Sequence, residues 1–461
     1  MGSRVLLISI NRCEDPYPVF PLGLTYVDCA LLEAGFETAW FDCIVDRNLA
    51  KVVERFAPDF IGISLRNIDD VVIKRRETFY GALISTCATL RQLTKAPIIL
   101  GGSGFSIFPE QLMQLSDADY GICGESETAF PALLKALNEN RPCHSIPGLV
   151  FRRAGEIVRN APVVNSRAMS SSAPRPEPLR VSEYYLQSSS MLNVQTQRGC
   201  AQHCCYCTYP LLEGRHHRYR PATDVADELQ QLETRGAKYV FVVDSVFNSS
   251  PQHVVRVCEE IIARNIKMRW ACFLRPAGLT DDLMRLMARA GLTHIEFGSD
   301  SFCDSVLQAY GKRFTFDDIA ESSELAHKHK VEFCHFLVCG GPGETRETLQ
   351  RSFENSLRIR QNLSLALVGM RIYPATPLHD RARSEGVIRA DTDLLEPQYY
   401  LAPSLTEDVI FDRLREFRKR DPSWIVGEAS APYIAMTKRL REKGMVGPTW
   451  SYFAVMQRLG L

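Results

Sequence analysis

Over residues 1–140 short apolar runs alternate with amphipathic stretches. Val5–Ile10 reads as a buried strand, and Thr38–Phe41, Phe60–Ser64, Pro97–Leu100 and Tyr120–Cys123 repeat the pattern. Leu22–Ala34, Asp46–Phe56, Thr78–Leu93, Pro109–Leu115 and Ala129–Asn138 lie between them with helical periodicity. Gly35 is suited to end the first helix, and Pro58 separates the second from its following strand. This alternation predicts a parallel sheet with helices on both faces, an α/β doubly wound, Rossmann-like domain. Residues 141–190 change character. Val150–Val158 predicts a small hairpin, and Asn165–Pro178 has the Ser/Pro composition of a linker.

From 191 to 390 the alternation resumes. Strands are predicted at Met191–Thr196, Tyr239–Val243, Arg269–Phe273, His294–Phe297, Phe333–Val338 and Ala366–Ile372. Helical patterns such as Val225–Thr234, His253–Arg264, Asp281–Ala290, Phe316–His329 and Glu344–Arg360 separate them. Six βα units predict a partial (β/α)6 barrel of the TIM type, with its chemistry at the C-terminal ends of the strands. Residues 391–461 read as mostly helical. They carry Tyr399, Tyr400, Trp424, Trp450 and Tyr452, rings that either close a substrate pocket or pack as core.

Composition narrows the setting. The 461 residues hold 54 Lys and Arg against 54 Asp and Glu, so net charge gives no reason to expect non-specific nucleic-acid or polybasic membrane binding. No apolar run reaches the about 20 residues of a spanning helix. Met1–Ile10 enters a strand pattern without a signal-peptide core, so a cytoplasmic location is expected. Fifteen cysteines in such a chain are expected to be reduced thiols, and Cys29, Cys87 and Cys258 fit small buried hydrophobes.

One cluster does not fit that description. Arg198-Gly199-Cys200-Ala201-Gln202-His203-Cys204-Cys205-Tyr206-Cys207 lies between a predicted strand and a helix. Cys200, Cys204 and Cys207 form a C-x3-C-x2-C run, and thiolates so spaced in one loop can converge on a soft metal centre. Three ligands on a [4Fe–4S] cluster would leave one iron open to a small molecule. Zinc with His203 as a fourth ligand is the alternative, without a second C-x2-C or His pair nearby.

This loop resembles the signature of radical S-adenosylmethionine (SAM) enzymes. Its continuation through Thr208-Tyr209-Pro210, Glu213-Gly214-Arg215 and Arg220-Pro221 is similar to the branch with an N-terminal cobalamin-binding domain. The resemblance spans about residues 1–390. It implies that Cys200, Cys204 and Cys207 hold a [4Fe–4S] cluster whose open iron binds SAM. It further implies that Tyr206 flanks that cofactor and that Cys205 is not a ligand. Other expected SAM contacts are Asp244 after the second barrel strand, Glu296 and Ser299 on the fourth, and Gly340, Gly341 and Gly343 after the fifth. Asp244 stands where the family more often has Gly-Gly-Glu. Glu296 has a second reading as a buried hydrogen-bonding group, and Gly340–Glu344 as a plain turn starting a helix.

Five further residues are open on the sequence alone. Arg275 after the third strand can meet a carboxylate or lie at the surface. His335 faces either the barrel interior or the core. Arg371, Tyr373 and Thr376 end the sixth strand at the barrel mouth, within reach of substrate.

In the N-terminal domain the loops beyond the strands are Ser9–Leu24, Ser64–Asp70 and Gly101–Pro109. Small residues at Ser64, Gly101, Gly102 and Ser103 would leave a groove for an extended ligand. The residues alone allow a response-regulator-like or flavodoxin-like domain equally. The family resemblance selects cobalamin, with Arg66 or Asn67 toward the lower face of the cobalt or else in a solvated loop. The Asp-x-His-x-x-Gly motif that supplies an axial histidine is absent, and the first histidine of the chain is His144.

The activity implied is a cobalamin-dependent radical SAM methyltransferase acting on a small-molecule or lipid precursor. A 5′-deoxyadenosyl radical would activate an unactivated carbon and methylcobalamin would methylate it, with a flavodoxin- or ferredoxin-type electron donor. The alternatives are a cobalamin-dependent cyclase or rearrangement enzyme, and a cobalamin- or redox-sensing binding protein. The expected units are 1–140, a linker with hairpin at 141–190, the barrel at 191–390 and the helical region at 391–461.

Overall fold

The computed structural model describes residues 2–14, 17–163, 177–360, 363–426 and 431–458. Two seven-stranded sheets arise from the two runs of alternation. The first contains β1 (Arg4–Ser9), β2 (Glu37–Asp42), β3 (Phe60–Ser64), β4 (Ile98–Gly101), β5 (Tyr120–Ile122), β6 (Leu149–Arg153) and β7 (Glu156–Arg159). Its order is β2-β1-β3-β4-β5-β6-β7, with β1 to β5 parallel and the last two antiparallel. The predicted hairpin is therefore not part of a linker. It extends the first sheet, so this domain runs through Arg159 rather than ending at 140. The strand order reverses between β1 and β3, where the loops after Ser9 and Ser64 diverge and leave a crevice.

The second sheet contains β8 (Leu192–Val194), β9 (Tyr239–Val242), β10 (Arg269–Leu274), β11 (Leu292–Asp300), β12 (Glu332–Cys339), β13 (Ser364–Val368) and β14 (Trp424–Val426). Neighbours follow chain order and all are parallel. Six strands were expected, and the seventh comes from the region read as helical. β14 spans three residues, too few to show a period. The expected strand 366–372 is broken at Gly369 (φ 77°), and Met370–Arg371 pairs instead with Tyr399–Tyr400. Leu179–Ser189 is a helix inside the expected linker. The Ser/Pro segment, through residue 176, lies outside the described residues. Among the described residues no helix is long and apolar enough to cross a membrane.

The two sheets are held edge to edge by ion pairs at their C-terminal ends. Arg198, just before the cysteine loop, reaches Glu127 at 2.6 Å, and Arg218 grips Glu125 through both terminal nitrogens. Both glutamates follow β5. On the other side Arg371 Nε donates to Asp69 at 2.8 Å, and its remaining nitrogens donate to the Ile372 and Leu394 carbonyls. Asp69 and Arg371 are both buried. Arg371 and Tyr373, expected to meet substrate, thus serve the domain interface, since Tyr373 also faces Asp69 at 3.4 Å. Thr376 caps the helix Pro377–Ser384 by accepting from the His379 N–H.

Removing one partner of a buried pair leaves the other charge uncompensated, a loss of about 3–5 kcal/mol. Asp69→Ala is expected to destabilise the chain by that order in calorimetric unfolding, and Asp69→Leu with Arg371→Met by clearly less. Equal losses in the two variants would count against an uncompensated charge as the cause.

Candidate functional site

The cysteine loop is fixed by backbone bonds at its start and at its centre. At its start Gln197–Arg198 pairs with Arg218–Tyr219, and the Cys200 N–H donates to the Gly214 carbonyl at 3.0 Å. Gly199 has φ 88°, and a side chain there would overlap the His216 carbonyl, so only glycine fits. At its centre the Cys205 N–H donates to the Tyr310 carbonyl (2.9 Å), while its own carbonyl accepts from the Leu378 N–H (2.8 Å).

This anchoring separates the four thiols. Cys205 turns toward Met370, with sulfur atoms 3.9 Å apart, and packs on the main core. Cys200, Cys204 and Cys207 lie within electrostatic reach of one another. Burial raises the Cys204 thiol, and nearby Lys312 opposes that shift. Burial pushes Cys207 up to about 12. His203 is exposed. Among the described residues no three His, Cys, Asp or Glu side chains gather closely enough for a single ion.

Tyr206 reaches across to the end of β11, where its hydroxyl donates to Asp300 at 2.6 Å. Asp300 also pairs with Lys312 at 2.6 Å, and Lys312 donates to the Gly298 carbonyl. The register of β11 against β12 slips between Phe297 and Asp300, and Asp300 takes φ 62°. The bulge re-aims the aspartate toward the cysteine loop, and aspartate tolerates that left-handed backbone better than most residues. Lys312, which also hydrogen-bonds Cys204, had no sequence signal, because it meets the loop only once the chain is folded.

Several expected SAM contacts occupy other places. Asp244 is wholly buried, and its oxygens accept from the Thr196 N–H (2.7 Å), the Thr196 hydroxyl (2.5 Å) and the Gln197 N–H (3.2 Å). Burial outweighs those bonds and raises its carboxyl to about 7. It braces the strand entering the cysteine loop. Ser299 faces the core, where it meets His335 Nδ1 at 2.7 Å, and Ser323 holds the other ring nitrogen at 3.1 Å. His335 is therefore a satisfied core histidine, lowered to about 3 by burial.

At Gly340 a side chain would meet Ile410 and Leu401, at Gly341 the Tyr310 ring, and at Gly343 Ala309. These glycines admit neighbouring protein. Glu296 lies within β11 rather than at its end, and its Oε1 accepts from Trp450 Nε1 at 3.0 Å. Arg275 is half-buried at the barrel mouth, its backbone N–H donating to the Asn248 side chain at 2.9 Å.

In the first domain Ser64, Gly101 and Ser9 sit side by side where β3, β4 and β1 end. Gly102 has φ 97° and packs against the Leu65 carbonyl. Ser103 is exposed and donates to the Arg66 carbonyl at 2.7 Å. The Arg66 side chain lies where the two domains meet. Burial lowers its guanidinium, and Tyr17, Tyr185 and Tyr209 are within electrostatic reach. Its Nε is buried with no hydrogen-bond partner among the described residues. Asn67 is exposed. His144 stacks on Phe151 at 4.6 Å.

Residues 194–355 match the radical SAM superfamily, and residues 9–134 match the B12 binding domain. The chain is 25% identical over 437 residues to tryptophan 2-C-methyltransferase of Streptomyces laurentii, covering 80% of this chain and 73% of that one. It is 23% identical over 384 residues to anaerobic magnesium-protoporphyrin IX monomethyl ester cyclase of Cereibacter sphaeroides, covering 79% and 60%. The solved structure of the radical SAM methyltransferase TsrM from Kitasatospora setae, with cobalamin and [4Fe–4S] cluster bound, superposes with TM-score 0.87 at 22% identity. That match covers 99% of this chain and 98% of that one and shows a common fold. A B12-binding domain joined to a radical SAM barrel defines the class of protein. The chain belongs to the cobalamin-dependent radical SAM enzymes.

Glu344 offers a test of the glycine loop. Its buried carboxylate accepts from the Gly340 N–H, and burial raises it to about 7. The folded form therefore holds its proton longer than the unfolded chain, whose glutamates titrate near about 4. Stability from this group is complete at low pH and falls as pH rises from about 4 to about 7. Between pH 5 and 7, Glu344→Gln is expected to flatten the fall by about 1 kcal/mol per pH unit, read from denaturant unfolding. Parallel curves for the variant and the parent protein would refute this.

Proposed function

We propose that the chain is a cobalamin-dependent radical SAM methyltransferase that C-methylates an unactivated carbon of a small-molecule or lipid precursor. The observation that carries this is the junction of the two domains. Arg66, which follows the Ser64–Gly101 strand ends of the first domain, has Tyr209 of the cysteine segment within electrostatic reach, and its Nε has no hydrogen-bond partner among the described residues. When bound, the cluster with SAM supplies a carbon-activating radical and cobalamin supplies the methyl group.

The residues have divided tasks in this reading. Cys200, Cys204 and Cys207 hold the cluster, while Cys205 fixes the loop to the core. Tyr206, set by Asp300 and Lys312, flanks the SAM site, and Arg275 takes its carboxylate. Ser64, Gly101, Gly102 and Ser103 border the cobalamin tail, and Arg66 faces the lower side of the cobalt. The guanidinium is a donor without a free electron pair, so it excludes water there without ligating the metal. A flavodoxin- or ferredoxin-type protein delivers the electron, and the chain works in the cytoplasm.

A second reading, radical chemistry without methyl transfer, is favoured by the likeness to the magnesium-protoporphyrin cyclase. Anaerobic reconstitution with SAM, reductant and candidate metabolites, followed by mass spectrometry, separates the two. Methyl transfer requires S-adenosylhomocysteine and a product heavier by one methylene unit, and 5′-deoxyadenosine alone would favour the cyclase reading. Alanine at Cys200, Cys204 or Cys207 is expected to abolish retention of the about four irons of the reconstituted cluster. Cys205→Ala should retain them, and iron loss in that variant would overturn the ligand assignment.

No histidine from the first domain is expected to reach the cobalt. The electron paramagnetic resonance spectrum of bound cob(II)alamin should lack nitrogen superhyperfine splitting from a protein imidazole. Splitting that disappears on substitution of a histidine would reverse this assignment.

A further inference from the structure

The inner face of the barrel carries a carboxyl group that the reading above does not use. Along β11 the side chains of Ile295 and Phe297 enter the main core beneath the helices. Glu296 lies on the opposite face, in register with Phe273 on β10 and Cys334 on β12. Those neighbours belong to two small inner clusters, separate from the main core. One holds Tyr239 and Phe241 with Phe273 and Tyr17 against them, the other Cys334 and Trp450 with Phe336 and Leu365 against them.

Glu296 is 6% exposed, and among the described residues its one hydrogen bond is that from the Trp450 indole, with no Lys or Arg paired to it. A carboxylate in apolar surroundings without a counter-charge is costly, and a cation brought to it relieves that cost. Tyr17, Trp450 and Phe273 adjoin it, and aromatic rings are the side chains that suit an organic cation.

We propose that Glu296 is the substrate-recognition residue of the barrel, taking the ammonium group of an aliphatic or aromatic amine whose apolar body lies along the inner face. The inference deepens the methyltransferase reading by naming its substrate class. Ammonium binding needs the ionised carboxylate, and burial raises Glu296 to about 7. The groups around it do not change charge near that pH. His294 is lowered to about 4, and Cys272, Cys334, Tyr17 and Tyr239 are all raised by burial. Arg441 is stacked on Tyr17 at 4.8 Å, and Arg269 lies near His294.

The test uses the full-length, anaerobically reconstituted protein and two amine pairs as probes: tryptamine against 3-ethylindole, and phenethylamine against ethylbenzene. Calorimetric titration should show the amine of at least one pair preferred over its deaminated partner. Its affinity should rise about tenfold from pH 6 to pH 8, as the carboxylate ionises. Glu296→Gln should erase the preference and the pH dependence. Trp450→Phe, which keeps the ring and removes the indole donor, should retain both.

Equal or absent binding of amine and deaminated partner in both pairs, or an amine preference that survives Glu296→Gln, overturns the proposal. Loss of the preference in Trp450→Phe as well would mark Glu296 as a strut for Trp450 and overturn it too. Methylation of cobalamin by SAM is followed in the same preparations. Its absence with amine preference intact removes only the methyltransferase reading, and the reverse result removes only this one.

Discussion

The architecture rests on the arginine–carboxylate contacts that keep the C-terminal edges of two parallel sheets facing each other. Each sheet alone offers half a site, a crevice after β1 and β3 or a cysteine loop after β8. Arg198 and Arg218 tie the base of that loop to Glu125 and Glu127, and Arg371 ties the far rim of the barrel to Asp69. Such pairs add little net stability, because the cost of stripping water from both charges offsets most of their attraction. Their value here is geometric. The fork of a guanidinium accepts few orientations of its partner, so a group carried by one domain is held at a fixed distance from a group carried by the other.

The same economy governs the cysteine loop. Its backbone is tied to Gly214, Tyr310 and Leu378, elements from three separate parts of the barrel. That leaves side-chain direction as the one property that differs among adjacent cysteines. Cys205 lies against the core beside Met370, whereas Cys204 meets Lys312 and the Tyr206 hydroxyl meets Asp300. Tyr206 then bridges to Asp300 on a bulged strand. A loop otherwise free to adapt is thereby made rigid before any cofactor arrives, which reduces the ordering cost of binding.

The strands were legible because strands buried on both faces read as continuous apolar runs, and Val5–Ile10, Phe60–Ser64 and Phe333–Val338 stand out in any window. The loop that gathers the cysteines was legible from its spacing. What could not be read was which side of a strand a polar residue takes. Asp244 and Ser299 look like mouth residues by position, yet one braces Thr196 and the other, within the β11 bulge that alters the alternation, serves His335. Arg371 and Asp69 are 302 positions apart, and no local pattern joins them. Three-residue β14 carries no period, and the β6–β7 hairpin shows itself as a hairpin without showing the sheet edge it covers.

The barrel's two faces also differ in how complete they are. On the helix-covered face Val242, Leu274, Phe297 and Leu337 are buried, whereas on the inner face Val243, Phe273, Gly298, Phe336 and Leu365 remain half-exposed. Closed barrels of this type fill that space with layers of interdigitated side chains. Here the sheet is open between β8 and β14 among the described residues, and the C-terminal segment packs on the inner face, where Gly447 lies against His294 and Tyr239, the Trp450 indole donates to Glu296 and Phe453 joins the cluster of Phe336 and Leu365. Among the described residues this face is apolar yet partly accessible, unlike a layered barrel core. In the methyltransferase reading proposed above, it is the surface along which the apolar body of the substrate would lie.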